Sequence, residues 1–153
     1  MKYTILYTLL TLVAAARLCA EPGKAVEIRL ASNPASGLTA QRDKPVEFSP
    51  KRASKFRVLP GIANATCNSL ELVGAKGYFL RHQNSVCFVR ERPKLNAMFD
   101  EDATFKIINL DGGKVRFEST NYPGMYITVR DDGSVITSRN PDLLKSTFVY
   151  KIE

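Results

Sequence analysis

The middle of the chain reads, in order, Leu70-Glu-Leu72, Gly77-Tyr-Phe-Leu80, Val86-Cys-Phe88 and Phe105-Lys-Ile107. Each piece is short and apolar, and turn-forming residues separate the pieces, which is typical of successive β-strands. The same order recurs on both sides: Ile28-Arg-Leu30, Gly37-Leu-Thr-Ala40, Val46-Glu-Phe48 and Phe56-Arg-Val58; then Val115-Arg-Phe117, Gly124-Met-Tyr-Ile127, Val135-Ile136 and Phe148-Val-Tyr150. The chain therefore contains three copies of one unit, at a period of roughly 40–50 residues.

Three copies of a four-strand unit predict about twelve strands, and no helix of any length is expected. The predicted fold is all-β: a β-trefoil, in which three units close into a barrel capped by hairpins. The alternative is a β-sandwich. Each unit ends in Phe-x-apolar, at Phe56, Phe105 and Phe148, and we expect these phenylalanines in the core rather than at a ligand. A short helical turn is compatible with the connections 94–100 and 141–145.

The first twenty residues have the pattern of a secretory signal peptide. Lys2 precedes an apolar run from Ile5 to Ala16, which is too short to span a membrane. Cleavage after Ala20 is expected, and cleavage after Ala16 is the alternative. The product would be secreted and extracellular.

The remaining residues, 21–153, are predicted to form a single β-trefoil domain with repeats at about 25–66, 67–112 and 113–153. Removal of Lys2 and Arg17 with the leader lowers the formal net charge from +7 to +5. The other basic residues are scattered along strands and turns, which favours a solvated basic surface over a polyanion site. We expect a monomer with neither nucleic acid nor membrane as a partner.

Export would place Cys67 and Cys87 in an oxidising compartment, so a disulfide between them is predicted, with two buried free thiols as the alternative. In the chain-entropy model such a bridge stabilises the fold by about 3 kcal/mol. With one histidine and no Cys-x-x-Cys, neither a metal site nor a cofactor is expected. Asn64-Ala-Thr66 matches an N-glycosylation sequon, which has meaning only in a eukaryotic source.

Three longer segments carry a resemblance to a known family. They are Gly77-Tyr-Phe-Leu-Arg-His82-Gln-Asn84, Phe99-Asp-Glu-Asp102-Ala-Thr-Phe105 and Arg116-Phe-Glu-Ser-Thr-Asn121-Tyr-Pro-Gly124-Met-Tyr126. Together they resemble the arabinose-binding β-trefoil (AbfB-type, carbohydrate-binding module family 42) of α-L-arabinofuranosidases, over essentially the whole mature chain. The resemblance ties the chain to L-arabinose metabolism through the parent enzymes and implies no hydrolytic activity of its own.

The resemblance implies a shallow sugar pocket in repeat two, with His82 and Asp102 bonding the hydroxyl groups of an arabinofuranose-type side chain. Sugar hydroxyls donate and accept hydrogen bonds, a carboxylate accepts them, and a neutral imidazole does one of each. Asn84 is expected to shape the adjoining turn, and Tyr78 to present an apolar face to the sugar.

The other two repeats depart from this pattern. Val129 stands at the histidine position of repeat three, and Lys145 at its aspartate position. Repeat one is predicted to carry Gln41 at the histidine position and Ala53-Ser-Lys-Phe56 as its closing segment. One pocket of the family type is therefore expected, and a single shallow sugar site binds weakly.

The sequence is compatible with three functions. The first is a secreted carbohydrate-binding module whose ligand is a glycan with arabinofuranose-like side chains. The second is a secreted β-trefoil interaction protein, such as an inhibitor, effector or cytokine-like ligand, without sugar binding. A glycosidase is the weakest, because hydrolysis needs two carboxyl groups across a cleft and the resemblance covers only a binding module.

Overall fold

The computed structural model describes residues 23–152, which form twelve β-strands and one short helix. The strands are β1 (Ala25–Leu30), β2 (Asn33–Thr39), β3 (Glu47–Ser49), β4 (Lys55–Pro60), β5 (Asn68–Leu72), β6 (Tyr78–Gln83), β7 (Val86–Glu91), β8 (Phe105–Asn109), β9 (Lys114–Ser119), β10 (Tyr126–Val129), β11 (Val135–Ser138) and β12 (Phe148–Ile152). The helix α1 spans Ala97–Asp102, and single 3₁₀ turns occupy Asp111–Gly113 and Leu143–Lys145. The signal peptide predicted at 1–20 lies outside the described residues. Within 23–152, no helix has the length and apolar character needed to cross a bilayer.

The strands pair in a pattern that repeats three times. Six of them pair antiparallel in a ring, in the order β1, β4, β5, β8, β9, β12 and back to β1. The other six form the hairpins β2–β3, β6–β7 and β10–β11, one in each repeat. A closed six-strand barrel with three hairpins is the β-trefoil that the repeats predict.

The closing phenylalanines lie at equivalent places in the barrel. Phe56 is opposite Leu72, Phe105 opposite Ser119, and Phe148 opposite Leu30, so each pairs with the first strand of the next repeat. All three phenylalanine side chains are fully buried. This confirms that they belong to the core, whose burial is the main stabilising contribution in a small β-domain.

The structure corrects the alignment of repeat three by two residues. The sequence pattern matches Val115-Arg-Phe117 with Leu70-Glu-Leu72, but Phe117 pairs with Ile107 of β8 as Leu70 pairs with Val58 of β4. The true equivalent is therefore Phe117-Glu-Ser119. A shift of two residues keeps the same side chains facing inward, so alternation alone does not detect it. The consequence is that a serine occupies the buried position that a leucine holds in repeat two.

The histidine position of repeat one is also corrected. Ala40 is buried in the same place as His82 and Val129, whereas Gln41 is exposed, as Gln83 is. The pairings of the first two strands support this alignment. Gly37, Phe79 and Tyr126, each three residues earlier, pair with the equivalent residues Arg29, Glu71 and Glu118.

The predicted disulfide is wrong: Cys67 and Cys87 are both free thiols. Cys87 lies in β7 with its side chain fully buried in the core, and burial raises the pKa of its thiol to about 12. Cys67 lies half-buried in the connection before β5, where its N–H donates to the carbonyl oxygen of Asn64 at 3.0 Å. A core-facing thiol packed against apolar neighbours behaves as a small hydrophobic group.

Candidate functional site

The β6–β7 hairpin positions His82. Gln83 pairs with Val86, so Asn84 and Ser85 form a two-residue turn, and both have positive φ angles of 50° and 63°. Turns with two positive φ angles match the twist of a hairpin, and asparagine tolerates this conformation well. Asn84 therefore shapes the turn, as expected, and also lines the cleft described below. His82 is two residues before the turn, with its side chain 4% exposed.

Helix α1 brings Asp102 to the same place. The Asn96 side chain caps the helix by accepting a hydrogen bond from the Phe99 N–H at 2.9 Å. Phe99 is buried and, with Phe79 and Ala103, forms a small apolar cluster that anchors the helix to β6. Asp102 is the last residue of α1 and is 6% exposed.

Two neighbours hold both oxygens of the Asp102 carboxylate. Nη2 of Arg81 donates to Oδ2 at 2.5 Å, and Nδ2 of Asn121 donates to Oδ1 at 2.8 Å. The Arg81 guanidinium also lies over the Phe99 ring, 4.9 Å from its centroid. A buried carboxylate with a cation and an amide as donors is held in a fixed orientation.

The hydrogen bonds around His82 decide which ring nitrogen carries the proton. Because the Asn121 amide nitrogen donates to Asp102, the atom that faces His82 is its oxygen, 3.2 Å from Nε2. A carbonyl oxygen only accepts, so Nε2 carries the hydrogen. Oγ of Ser119 lies 2.9 Å from the same nitrogen, donates to the Asn121 oxygen at 2.8 Å and accepts from the Tyr122 N–H at 3.2 Å.

The imidazole is therefore an acceptor on its other side. Burial lowers the pKa of His82 below its ordinary value, with nearby Asp102 acting in the opposite direction. The neutral ring then presents an unprotonated Nδ1, which lies 4.0 Å from Oδ1 of Asp102. A nitrogen acceptor and a carboxylate acceptor side by side suit a ligand that offers hydroxyl donors.

The two side chains open into a cleft of about 340 Å³ at the end of the β6–β7 hairpin. Its walls include Met98, Tyr122 and Met125. The Tyr122 ring is 54% exposed and meets the His82 ring edge-on, with centroids 5.7 Å apart. The cleft thus combines polar groups at its base with an apolar rim, as small-ligand sites commonly do.

Tyr78 is not part of this cleft. It lies at the first position of β6, four residues before His82, and the Arg42 guanidinium lies over its ring at 5.1 Å from the centroid. The predicted glycosylation residue Asn64 is exposed in the β4–β5 connection, and its Oδ1 accepts from Oγ1 of Thr66 at 2.8 Å. Its modification stays a prediction.

Sequence reasoning missed four residues of the site: Arg81, Ser119, Asn121 and Tyr122. The last three belong to repeat three and cross to the pocket of repeat two. No sequence signal marks Ser119, because only the strand pairings show that it is equivalent to the apolar residues Leu30 and Leu72. A buried hydroxyl needs hydrogen-bond partners, and here they are His82, Asn121 and the Tyr122 N–H.

The described residues contain no group of three or more His, Cys, Asp or Glu side chains placed to hold a metal ion.

The sequence model of the α-L-arabinofuranosidase B (AbfB) domain matches residues 31–149. The chain belongs to the AbfB family. AbfB domains are carbohydrate-binding domains, so this chain is a β-trefoil module of the carbohydrate-binding class. No curated protein sequence is similar enough to be counted as a relative.

Solved structures agree with this fold. A GH54 α-L-arabinofuranosidase soaked with a cyclic sulfate inhibitor matches with a TM-score of 0.75 at 19% identity, covering 90% of this chain and 32% of that one. An arabinofuranosidase complexed with arabinofuranosyl-α-1,2-xylobiose matches with a TM-score of 0.73 at 20% identity, covering 86% of this chain and 31% of that one. The BEL β-trefoil matches with a TM-score of 0.67 at 14% identity, covering 86% of this chain and 94% of that one. The chain therefore spans about a third of the arabinofuranosidase chains, and these likenesses establish the β-trefoil.

Repeat three of this AbfB domain has replaced the pocket with an ion pair. Lys145 stands where repeat two has Asp102, and its Nζ donates to Oδ1 of Asp131 at 2.5 Å. Val129, at the histidine position, is buried and offers no polar atom. The depression here, of about 420 Å³, is lined by charged side chains of both signs.

Repeat one lacks both polar side chains of the pocket. Ala40 and Ala53 stand at the histidine and aspartate positions, and Oγ of Ser54 accepts from the Ala40 N–H at 2.9 Å. Within the described chain, the histidine–aspartate pair is thus confined to repeat two.

Proposed function

We propose that this AbfB domain binds a terminal arabinofuranose-type side chain, or a related glycan, in the repeat-two cleft. The observation that carries the proposal is the pair of acceptors Nδ1 of His82 and Oδ1 of Asp102, 4.0 Å apart at the base of an open cleft. Adjacent sugar hydroxyls can donate to both atoms. Tyr122 offers a ring at the rim, against which the C–H face of a sugar can pack.

The arrangement is pre-organised, which favours binding. Arg81 and Asn121 fix the carboxylate, and Ser119 and Asn121 fix the imidazole, before any ligand arrives. A site whose side chains are already ordered loses less conformational entropy on binding. With one such cleft, affinity is expected to be weak, because avidity from several sites is absent.

Calorimetry with arabino-oligosaccharides, guided by a glycan array, tests the proposal. His82→Ala and Asp102→Asn should each weaken binding by about 1–3 kcal/mol, the scale for losing a hydrogen bond in a buried polar site. The matched controls are Gln41→Ala, which is exposed in repeat one, and Lys145→Ala, at the aspartate position of repeat three. Both controls should bind as the parent does. Unchanged binding by His82→Ala and Asp102→Asn would show that the cleft is assigned wrongly.

We propose binding without hydrolysis. Glycosidases use two carboxyl groups that flank the scissile bond, and Asp102 is the one carboxylate among the described residues that line the cleft. Purified protein should release no arabinose from an aryl arabinofuranoside. Turnover that co-purifies with the protein and disappears in Asp102→Asn would overturn this.

We also propose that the domain is exported and acts as a monomer. The leader pattern at residues 1–20 supports export. N-terminal sequencing of material from the medium of an expressing culture tests it, with Glu21 or Arg17 as the expected first residue. Retention of Met1 in the cell fraction would contradict export.

A protein-binding role is the second candidate, favoured by the loss of the histidine–aspartate pair from repeats one and three. If the parent protein binds no glycan on the array, this candidate takes the lead.

A further inference from the structure

A second groove, of about 500 Å³, lies where repeat three meets repeat one. We call it the docking groove and define it by Ser32, Leu110, Lys114, Arg116, Leu143 and Leu144. Its three leucines are 40%, 63% and 65% exposed, in chain order. Oγ of Ser32 donates to the carbonyl oxygen of Leu144 at 2.7 Å, which ties the two sides of the groove together. Exposed leucines that converge on one depression commonly mark an interaction site.

The pseudo-threefold symmetry shows what covers the same place in repeat two. There the connection Gly61–Cys67 folds over the barrel, and Ile62 packs against the cluster of Phe79 and Phe99. The Ile62 N–H donates to Oγ of Ser69 at 3.1 Å. In repeat two, a strip of polypeptide with an aliphatic side chain therefore fills this position.

Repeat three lacks that cover. Val115 pairs with Phe148 as Asn68 pairs with Phe105, so Arg116 is the equivalent of Ser69. The β8–β9 connection, at 110–113, is shorter than Gly61–Cys67, and Leu110 at its start stays 40% exposed. In repeat two the longer connection covers this surface, whereas in repeat three the shorter connection leaves it open as the docking groove.

The charged side chains of the docking groove indicate what charge its ligand carries. The Arg116 guanidinium lies over the Tyr126 ring, 3.9 Å from its centroid, and its buried Nε has no hydrogen-bond partner among residues 23–152. Lys114 is exposed beside it, and Asp111 is the one carboxylate among the described lining residues. Two cations against one anion favour a ligand that carries a carboxylate.

We propose that the docking groove binds a segment of a partner protein that presents an aliphatic side chain next to an Asp or Glu. The aliphatic side chain would lie between Leu110 and the Leu143–Leu144 pair, as Ile62 lies in repeat two. Its acidic neighbour would meet Arg116 and Lys114. This role is separate from the glycan cleft, which lies in repeat two.

A random library of seven-residue peptides displayed on phage, the length of Gly61–Cys67, tests this with the full chain as bait. Bound phage should be enriched in an aliphatic residue adjacent to Asp or Glu. A synthetic peptide of the enriched sequence should lose about tenfold or more in affinity for Leu144→Asp and for Lys114→Glu. The matched controls are Leu95→Asp, at a 98% exposed leucine outside the groove, and Lys106→Glu on β8. Both controls and His82→Ala should bind the peptide as the parent does.

Each other outcome overturns the proposal. If the parent enriches no sequence more strongly than the Leu144→Asp variant does, the groove is not a peptide-binding site. If the enriched peptides bind Leu144→Asp with the affinity of the parent, their binding site lies elsewhere on the surface. If sedimentation shows a dimer of the parent that Leu144→Asp dissociates, the groove is an interface between two copies of this chain. Circular dichroism of each variant establishes that it is folded.

Discussion

Nε2 of His82 lies 3.2 Å from Oδ1 of Asn121, although the two residues come from different repeats of the trefoil. The same asparagine donates through Nδ2 to Asp102, so one side chain sets the proton of the imidazole and the orientation of the carboxylate. The pocket of repeat two is therefore completed by the first residues of repeat three. This makes Asn121 a positioning residue, which acts on a ligand through its two partners.

Asn121→Asp should raise the pKa of His82. The substitution replaces a neutral amide with a second carboxylate beside the ring, and a nearby negative charge favours the imidazolium. His82 is the one histidine in the chain, so its ring signals can be followed by NMR without assignment ambiguity. Asp131→Asn, which changes a carboxylate in repeat three, should leave the titration unchanged. A lower or unchanged pKa in Asn121→Asp would mean that this contact does not define the state of the ring.

The free energy of unfolding should fall as the pH is lowered below about 6.5. Burial depresses the pKa of His82 in the folded protein, so the unfolded chain takes up a proton that the folded protein resists. The stabilisation is complete above the unfolded pKa and is lost as the pH falls toward the folded one. The slope is at most about 1.4 kcal/mol per pH unit for one proton. Urea denaturation between pH 5 and 8 measures it, in a window set by the ordinary histidine pKa of about 6.5.

His82→Gln is the matched variant for this pH dependence. It keeps a polar side chain of similar size and cannot titrate, so its stability should vary less with pH over the same range. Equal slopes in parent and variant would assign the acid sensitivity to the carboxylates. Sugar binding should weaken over the same window, because protonation converts Nδ1 of His82 from an acceptor into a donor.

The fold could be predicted from the sequence because its signals are local. Three recurrences of Phe-x-apolar, at Phe56, Phe105 and Phe148, mark strands that pair in equivalent places. The register of repeat three was not accessible, because alternation is unchanged by a shift of two residues. Only the pairing of Phe117 with Ile107 fixes it.

Part of the candidate site could be predicted for the same reason. His82 and Asp102 stand in one repeat, and a family motif connects them. Ser119 and Asn121 act across a repeat boundary, and such contacts depend on how strands meet in space. The disulfide prediction failed because it relied on an expected compartment, whereas the direction of the Cys87 side chain is set by the inward face of β7.

In native protein, thiol reagents should modify Cys67 and spare Cys87. Cys67 is half-buried near the surface, whereas Cys87 is fully buried with a thiol pKa of about 12, so its reactive thiolate is scarce and shielded. Mass spectrometry of the two cysteine peptides after iodoacetamide treatment measures this. In guanidinium chloride both peptides should be alkylated without any reductant. A Cys67–Cys87 bridged peptide in the unreduced digest would contradict the free thiols.

Phe148→Ala should destabilise the fold far more than Leu95→Ala. Phe148 is fully buried and packs against Phe48 and Phe117, with ring centroids 5.5 and 5.6 Å away. Truncating such a side chain removes its burial and leaves a cavity, at a cost of about 3–5 kcal/mol. Leu95 is 98% exposed, so its truncation should change the free energy of unfolding by no more than about 0.5 kcal/mol. Urea denaturation of parent and variants measures both values, and similar small losses in the two variants would mean that the closing phenylalanines do not hold the barrel together.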